Sequence, residues 1–171
     1  MKFELAKALI IAEKIKAELK PFCERIEIAG SIRRKKEFVK DIEIVCIAKP
    51  FDVGLFESGV AIVINKWEKV KGELPGKYTQ RILPEGIKLD LFFATKENWG
   101  LIYAIRTGSA EFSHRTLAVN WVKKGYKGIE GFLHKNDKKI NIYEEKDLFD
   151  LLEMDFIEPK NRNFKYENKK N

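Results

Sequence analysis

The chain has 171 residues, of which 44% are hydrophobic and 12% aromatic. That excludes a disordered polypeptide, which lacks the apolar surface to offset the entropy of ordering. Its longest unbroken apolar runs, such as 8–12 and 60–64, fall far short of the roughly twenty residues of a membrane-crossing helix. Thirty-three Lys and Arg against 26 Asp and Glu give +7 and a pI near 9.3, a balance that suits a polyanionic partner, nucleic acid ahead of a membrane.

The opening Met1-Lys2-Phe3-Glu4 has no secretory pattern, so the expected compartment is the cytoplasm or nucleoid. Cys23 and Cys46 show no C-x-x-C spacing, which argues against a disulfide framework or a zinc cluster.

In chain order, residues 3–19 set Leu5, Ala8, Leu9, Ala12, Ile15 and Leu19 on one stripe, and the spacing predicts an amphipathic helix ended by Pro21. Residues 26–31 are short and β-prone. The Ile- and Val-rich segment 41–48, closed by Lys49-Pro50, reads as a buried strand. Residues 52–65 suit a short helix, and 69–73, 78–83 and 87–94 suit strands. Pro75-Gly76 and Pro84-Glu85-Gly86 mark the turns between those strands. Beyond Thr95 the pattern turns helical at 98–106 and 110–123. A hairpin of 129–133 with 139–142 follows around Asn136-Asp137, then a short helix over 145–154. The expected class is α+β.

Three acids stand where strands predict burial: Asp41, Glu43 and Asp90. Residues i and i+2 of a strand share a face, so Asp41 and Glu43 project together. If the strand of Asp90 is adjacent, three carboxylates converge, a self-repelling cluster that hard divalent cations would neutralise. Two such cations about 4 Å apart activate a hydroxyl and clamp a triphosphate during in-line displacement. The residues alone leave a second reading open, with Asp41 and Glu43 on a solvated face and Asp90 paired with Lys88. The preceding Gly30-Ser31 suits a strand-to-helix turn that offers N–H groups and a hydroxyl to phosphate oxygens. Arg33, Arg34, Lys35 and Lys36 follow as counter-charges.

Gly30-Ser31-Ile32-Arg33-Arg34 followed by Asp41-Ile42-Glu43 resembles the G-S-x-R-R…D-x-D signature of the DNA polymerase X family of nucleotidyltransferases, of which polymerase beta is the best-known member. Lys88-Leu89-Asp90 is similar to its third-carboxylate strand. Thr107-Gly108-Ser109 is similar to the turn that opens its thumb, and 157–162 to its C-terminal end. The chain resembles the shortest viral members of the family, reduced to palm and thumb.

The resemblance implies a nucleotidyltransferase palm with a mixed β-sheet over 1–95 and a small α+β thumb over 96–171. It implies Asp41, Glu43 and Asp90 as catalytic metal-binding carboxylates for two Mg²⁺ ions, with Mn²⁺ as a substitute. Gly30, Ser31, Arg33, Arg34, Thr107, Gly108 and Ser109 are then expected at the nucleotide, and Lys35, Lys36, Lys88, His114 and Arg115 at DNA. The implied activity is template-directed addition of dNTPs to a primer 3′-hydroxyl on gapped or primer–template DNA. Short-gap filling in repair, no lyase activity, a monomeric state and, for a viral source, host cytoplasm complete the expectation. The alternatives are a nucleotidyltransferase acting on RNA ends, a small molecule or a protein, and a catalytically weak DNA-binding module.

Three departures stand out. Glu43 is one methylene longer than the usual Asp. Ile105-Arg106 occupies the place of a sugar-screening Tyr-Phe pair. The helix after Ser109 is one residue longer than the family's.

Overall fold

The computed structural model describes residues 1–50 and 59–164. The expected helix over 52–65 and the basic tail therefore lie partly outside the described residues. The chain is α+β and divides into two units, Met1–Ala94 and Thr95–Asn171. No helix among the described residues is long and apolar enough to cross a membrane.

In the first unit a two-residue strand, β1 (Phe3–Glu4), leads into helix α1 (Leu5–Leu19). Strand β2 (Cys23–Ile28), the short helix α2 (Gly30–Arg33), β3 (Phe38–Val39) and β4 (Asp41–Ala48) follow. Helix α3 (Val60–Ile64) then precedes β5 (Glu68–Lys71), β6 (Tyr78–Ile82) and β7 (Lys88–Phe93). β1 and β3 pair separately, and the other five strands form one sheet in the order β2-β4-β7-β6-β5. Only β4 and β7 run parallel, so the sheet is mixed.

Alternation of side chains gives this sheet two unlike faces. Ile42, Ile44 and Cys46 of β4, with Leu89 and Leu91 of β7, pack beneath Ala8, Ile11, Ala12, Ile15 and Leu19 of α1. The helix stripe differs from the expected one at Leu9, which is exposed, while Ile11 is buried. Ile11 lies three residues after Ala8 and four before Ile15, on the inward row. Leu9 is about 100° around the helix from Ala8. The two cysteines meet in this core, where their thiols are hydrogen-bonded to each other. That bond and burial push the Cys46 thiol's pKa up, while the bond draws that of Cys23 down.

The second unit opens on Asn98, whose side chain accepts the Thr95 N–H at 2.7 Å and donates to the Gly131 carbonyl at 2.9 Å. Helix α4 (Trp99–Thr107) comes next. Gly100 is required there, since a Cβ would sit 2.2 Å from the Glu144 carbonyl oxygen.

The expected helix over 110–123 is built in three parts: α5 (Ala110–Phe112), a π-helical stretch (Ser113–Ala118) and α6 (Val119–Lys123). A π-turn takes up an additional residue within a helix without ending it. Two side chains support it: Ser113 Oγ donates to the Ile105 carbonyl at 2.7 Å and Asn120 Nδ2 to the Thr116 carbonyl at 2.5 Å.

The expected hairpin is a three-stranded sheet of β8 (Lys127–Ile129), β9 (Phe132–Lys135) and β10 (Lys138–Ile140). Asn136 and Asp137 turn between the last two strands at φ of 51° and 59°, the conformation such residues favour in tight hairpins. Helix α7 (Glu145–Leu151) begins with a reciprocal cap between Glu144 and Asp147. Leu101, Ala104, Phe112, Leu117, Leu133, Leu148 and Phe149 form this unit's own core.

Candidate active site

The face of the large sheet opposite α1 carries the three acids. In the parallel pairing of β4 with β7, Glu43 stands beside Asp90 and Asp41 beside Lys88. Because partners in register share a face, Asp41, Glu43, Lys88 and Asp90 form one polar patch over an apolar layer. Asp90 is the most enclosed, at 8% exposure, and is held from β6. Tyr78 Oη and Gln80 Nε2 both donate to its Oδ1, the latter at 2.7 Å. Gln80 is the direct cross-strand neighbour of Asp90 and Tyr78 that of Phe92, on whose ring it stacks with centroids 4.9 Å apart.

Asp41 is half-buried, and its carboxyl pKa is raised by burial and then by the charge of Asp90. Arg34, Lys40 and Lys88 pull it the other way without prevailing. Asp41 and Asp90 together offer hard oxygens to a cation, whose charge would relieve the repulsion felt at Asp41.

Glu43 has a different setting. A Cβ on Gly30 would lie 1.8 Å from its Oε2, and the Glu43 carbonyl accepts the Ala29 N–H at 2.8 Å. Gly30 has a φ of +60°, left-handed and costly for any other residue. The glycine is thus required twice, for its backbone angle and for the Glu43 side chain lying against it. Among the described residues no three His, Cys, Asp or Glu side chains gather closely enough to cage an ion. The fit is to a cation held by one or two carboxylates that keeps other oxygens from water or phosphate, the habit of Mg²⁺.

Gly30 and Ser31 open α2, whose first-turn N–H groups have no acceptor within the helix. Burial pulls the Arg34 guanidinium's pKa below its ordinary value, while Glu43 and Asp41 push it back up, which sets Arg34 among the acids. Arg33 is half-buried, and Lys35 and Lys36 are exposed. Lys35 closes the turn at a φ of 57°.

Thr107, Gly108, Ser109, His114 and Arg115 belong to the second unit. Thr107 is fully buried. Ser109 Oγ accepts the Phe112 N–H at 3.1 Å and donates to the Asn163 carbonyl at 2.6 Å, so this hydroxyl caps a helix and ties down the C-terminal segment. His114 and Arg115 are exposed on the π-stretch, and Arg115 pairs with Glu111 at 3.5 Å. Tyr78 and Gln80 were not among the expected site residues. Their strand was legible in the sequence, but which β6 residues face Asp90 depends on a strand register that one sequence does not specify.

Comparison with known proteins bears on the whole arrangement. Residues 102–163 match the family model of the DNA polymerase beta thumb. No curated protein matches the chain by sequence. Among solved structures the chain is similar to a Leishmania infantum polymerase beta in a ternary P/T complex, with a TM-score of 0.71 at 19% identity. That match covers 95% of this chain and 77% of the other. Residues 102–163 are thus similar in sequence to the DNA polymerase beta thumb, and the fold of the whole chain is similar to that of a polymerase beta.

Proposed function

We propose that the chain is a template-directed DNA polymerase that adds dNTPs to a primer 3′-hydroxyl, filling short gaps during repair. The observation that carries this reading is the alignment of Asp41, Glu43 and Asp90 on one sheet face beside the Gly30–Arg34 turn. Similarity to a polymerase beta in a ternary P/T complex supports a primer–template as acceptor. On this reading Asp41 and Asp90, with Glu43 beside them, hold Mg²⁺. The ion's role is to stabilise the negative charge that develops between the attacking hydroxyl and the triphosphate.

The chain's own side chains divide the remaining work. The 3′-oxygen forms a bond to the α-phosphorus as the bond to pyrophosphate breaks, and Asp90 receives the hydroxyl proton. The Gly30 and Ser31 N–H groups and the Ser31 hydroxyl orient the phosphates. Arg34 offsets the charge leaving with pyrophosphate. Lys35, Lys36, Lys88, His114 and Arg115 face the DNA backbone or the nascent pair, and Thr107-Gly108-Ser109 shapes the thumb turn near the nucleotide.

Arg34→Ala is expected to weaken dNTP binding by roughly 1.5–3 kcal/mol, the worth of a charge-assisted contact, with DNA affinity little changed. Separate titrations of the two ligands check this. Equal losses for both would make Arg34 a DNA-backbone contact.

A further inference from the structure

We infer that Tyr78 and Gln80 are positioning residues that commit Asp90 to binding a cation through Oδ2 alone, and thereby set the site's preference for Mg²⁺ over Ca²⁺. The inference rests on the proposed function. It begins from the hydrogen bonds on Asp90, both of which fall on Oδ1. A carboxylate oxygen has two lone-pair directions, and the Tyr78 hydroxyl and Gln80 amide occupy the pair on Oδ1. The other oxygen is left to meet a ligand.

Neither donor is free to wander. Gln80 is fixed opposite Asp90 by the β6–β7 register. The Tyr78 ring stacks on Phe92 with 27° between planes, and Lys71 Nζ lies 5.6 Å from its centroid on a ring face. With Asp90 itself buried, the carboxylate plane is set by three strands' worth of packing rather than by the ion.

The consequence is chemical. Ca²⁺ takes about six to eight oxygens and readily accepts both oxygens of one carboxylate. Mg²⁺ demands near-octahedral geometry, retains waters and is satisfied by one oxygen per carboxylate. An Asp90 already spent on one side suits the second ion and handicaps the first. Lys88, the side chain next to Asp41 in register, adds charge to the patch but no such directionality.

The test is Mn²⁺ binding to the full chain without DNA or nucleotide, read by paramagnetic resonance of the free ion, with Ca²⁺ as competitor. Tyr78→Phe keeps the stacked ring and Gln80→Met keeps the volume, so the double variant loses the donors and little else. We expect Ca²⁺ to compete about tenfold better against Mn²⁺ in that variant, consistent with losing hydrogen bonds to a charged group. Lys139→Ala, in the second unit and over the Phe132 ring, should leave the ratio unchanged. Should the double variant not fold, Tyr78→Phe alone carries the test, with a smaller shift in the same direction.

An unchanged ratio in a folded variant overturns the inference. If Asp90→Asn meanwhile abolishes Mn²⁺ binding, the functional reading survives that result. If Asp90→Asn binds Mn²⁺ like the wild type, or the wild type binds none, both fall together.

Discussion

Replacing Asp90 with Asn is expected to lower nucleotide addition by about 10²–10⁴-fold, the range associated with losing a positioned proton acceptor, while the chain remains folded. Asn keeps the Oδ1 acceptor on which Tyr78 and Gln80 converge, so the β6–β7 contacts survive. What is lost is the negative charge. That charge, second to burial, raises the Asp41 carboxyl's pKa. A carboxyl whose folded pKa lies above its unfolded value is disfavoured as an anion in the native chain. It therefore costs stability as pH rises through that folded value. Removing Asp90's charge lightens the cost, so the variant should melt at or above the wild-type temperature at pH 7. Primer extension and thermal melting on the same preparation check both halves. A variant with near-normal turnover would remove Asp90 from the chemistry, and one that is inactive and also less stable would point to a role in the fold.

The second large effect is in the other unit. Arg162 is fully buried, its guanidinium lying over the edge-to-face pair of Phe149 and Phe156 at 5.2 and 5.1 Å from their centroids. Its Nη1 donates to Glu145, which is also buried, and its Nε to the Ile157 carbonyl at 2.8 Å. Arg162→Ala leaves the Glu145 carboxylate in the interior without this partner, a change that costs roughly 3–5 kcal/mol. The expected result is a fall in melting temperature of about 10 °C, given roughly 2–4 °C per kcal/mol for a chain of this size. The double variant Arg162→Met/Glu145→Leu should recover most of the loss, because a buried ion pair replaced by apolar groups of similar volume is often neutral. Thermal melts of the two variants decide it. A double variant no better than Arg162→Ala would mean that the guanidinium's contacts with the two Phe rings carry the stability.

How far the sequence reached depends on the range of each interaction. Local periodicity was enough for α1 and for the strand from Asp41, because hydrophobic spacing is written along the chain. It misplaced Leu9, since a stripe drawn too wide admits residues on its edge. The segment 26–31 ran together a strand and a helix: the break comes at Gly30, whose left-handed φ turns the chain one residue before Ser31. A helix after Ser109 was legible in the sequence, but its π-helical stretch, where Ser113 and Asn120 bond backbone carbonyls, was not.

Long-range pairings were hidden. Nothing local says that Cys23 and Cys46 share a hydrogen bond. Nothing local says that Arg162 is an interior cation, although the segment containing it resembled the family's C-terminal end. The alignment of Asp90 with Glu43 rests on a parallel pairing of strands about forty residues apart, and was expected only on the condition that those strands are neighbours.

Whether the chain is a templated polymerase is decided by single-nucleotide addition on four duplexes, each with a one-nucleotide gap and differing only in the templating base. Each duplex is given Mg²⁺ and one dNTP at a time. Every gap is expected to receive its complementary nucleotide in preference to the other three, and Asp90→Asn to lower the reaction on all four by about 10²–10⁴-fold. Addition without regard to the templating base, transfer to an RNA end or small molecule in place of the primer, or binding of the gap with no addition would contradict that reading.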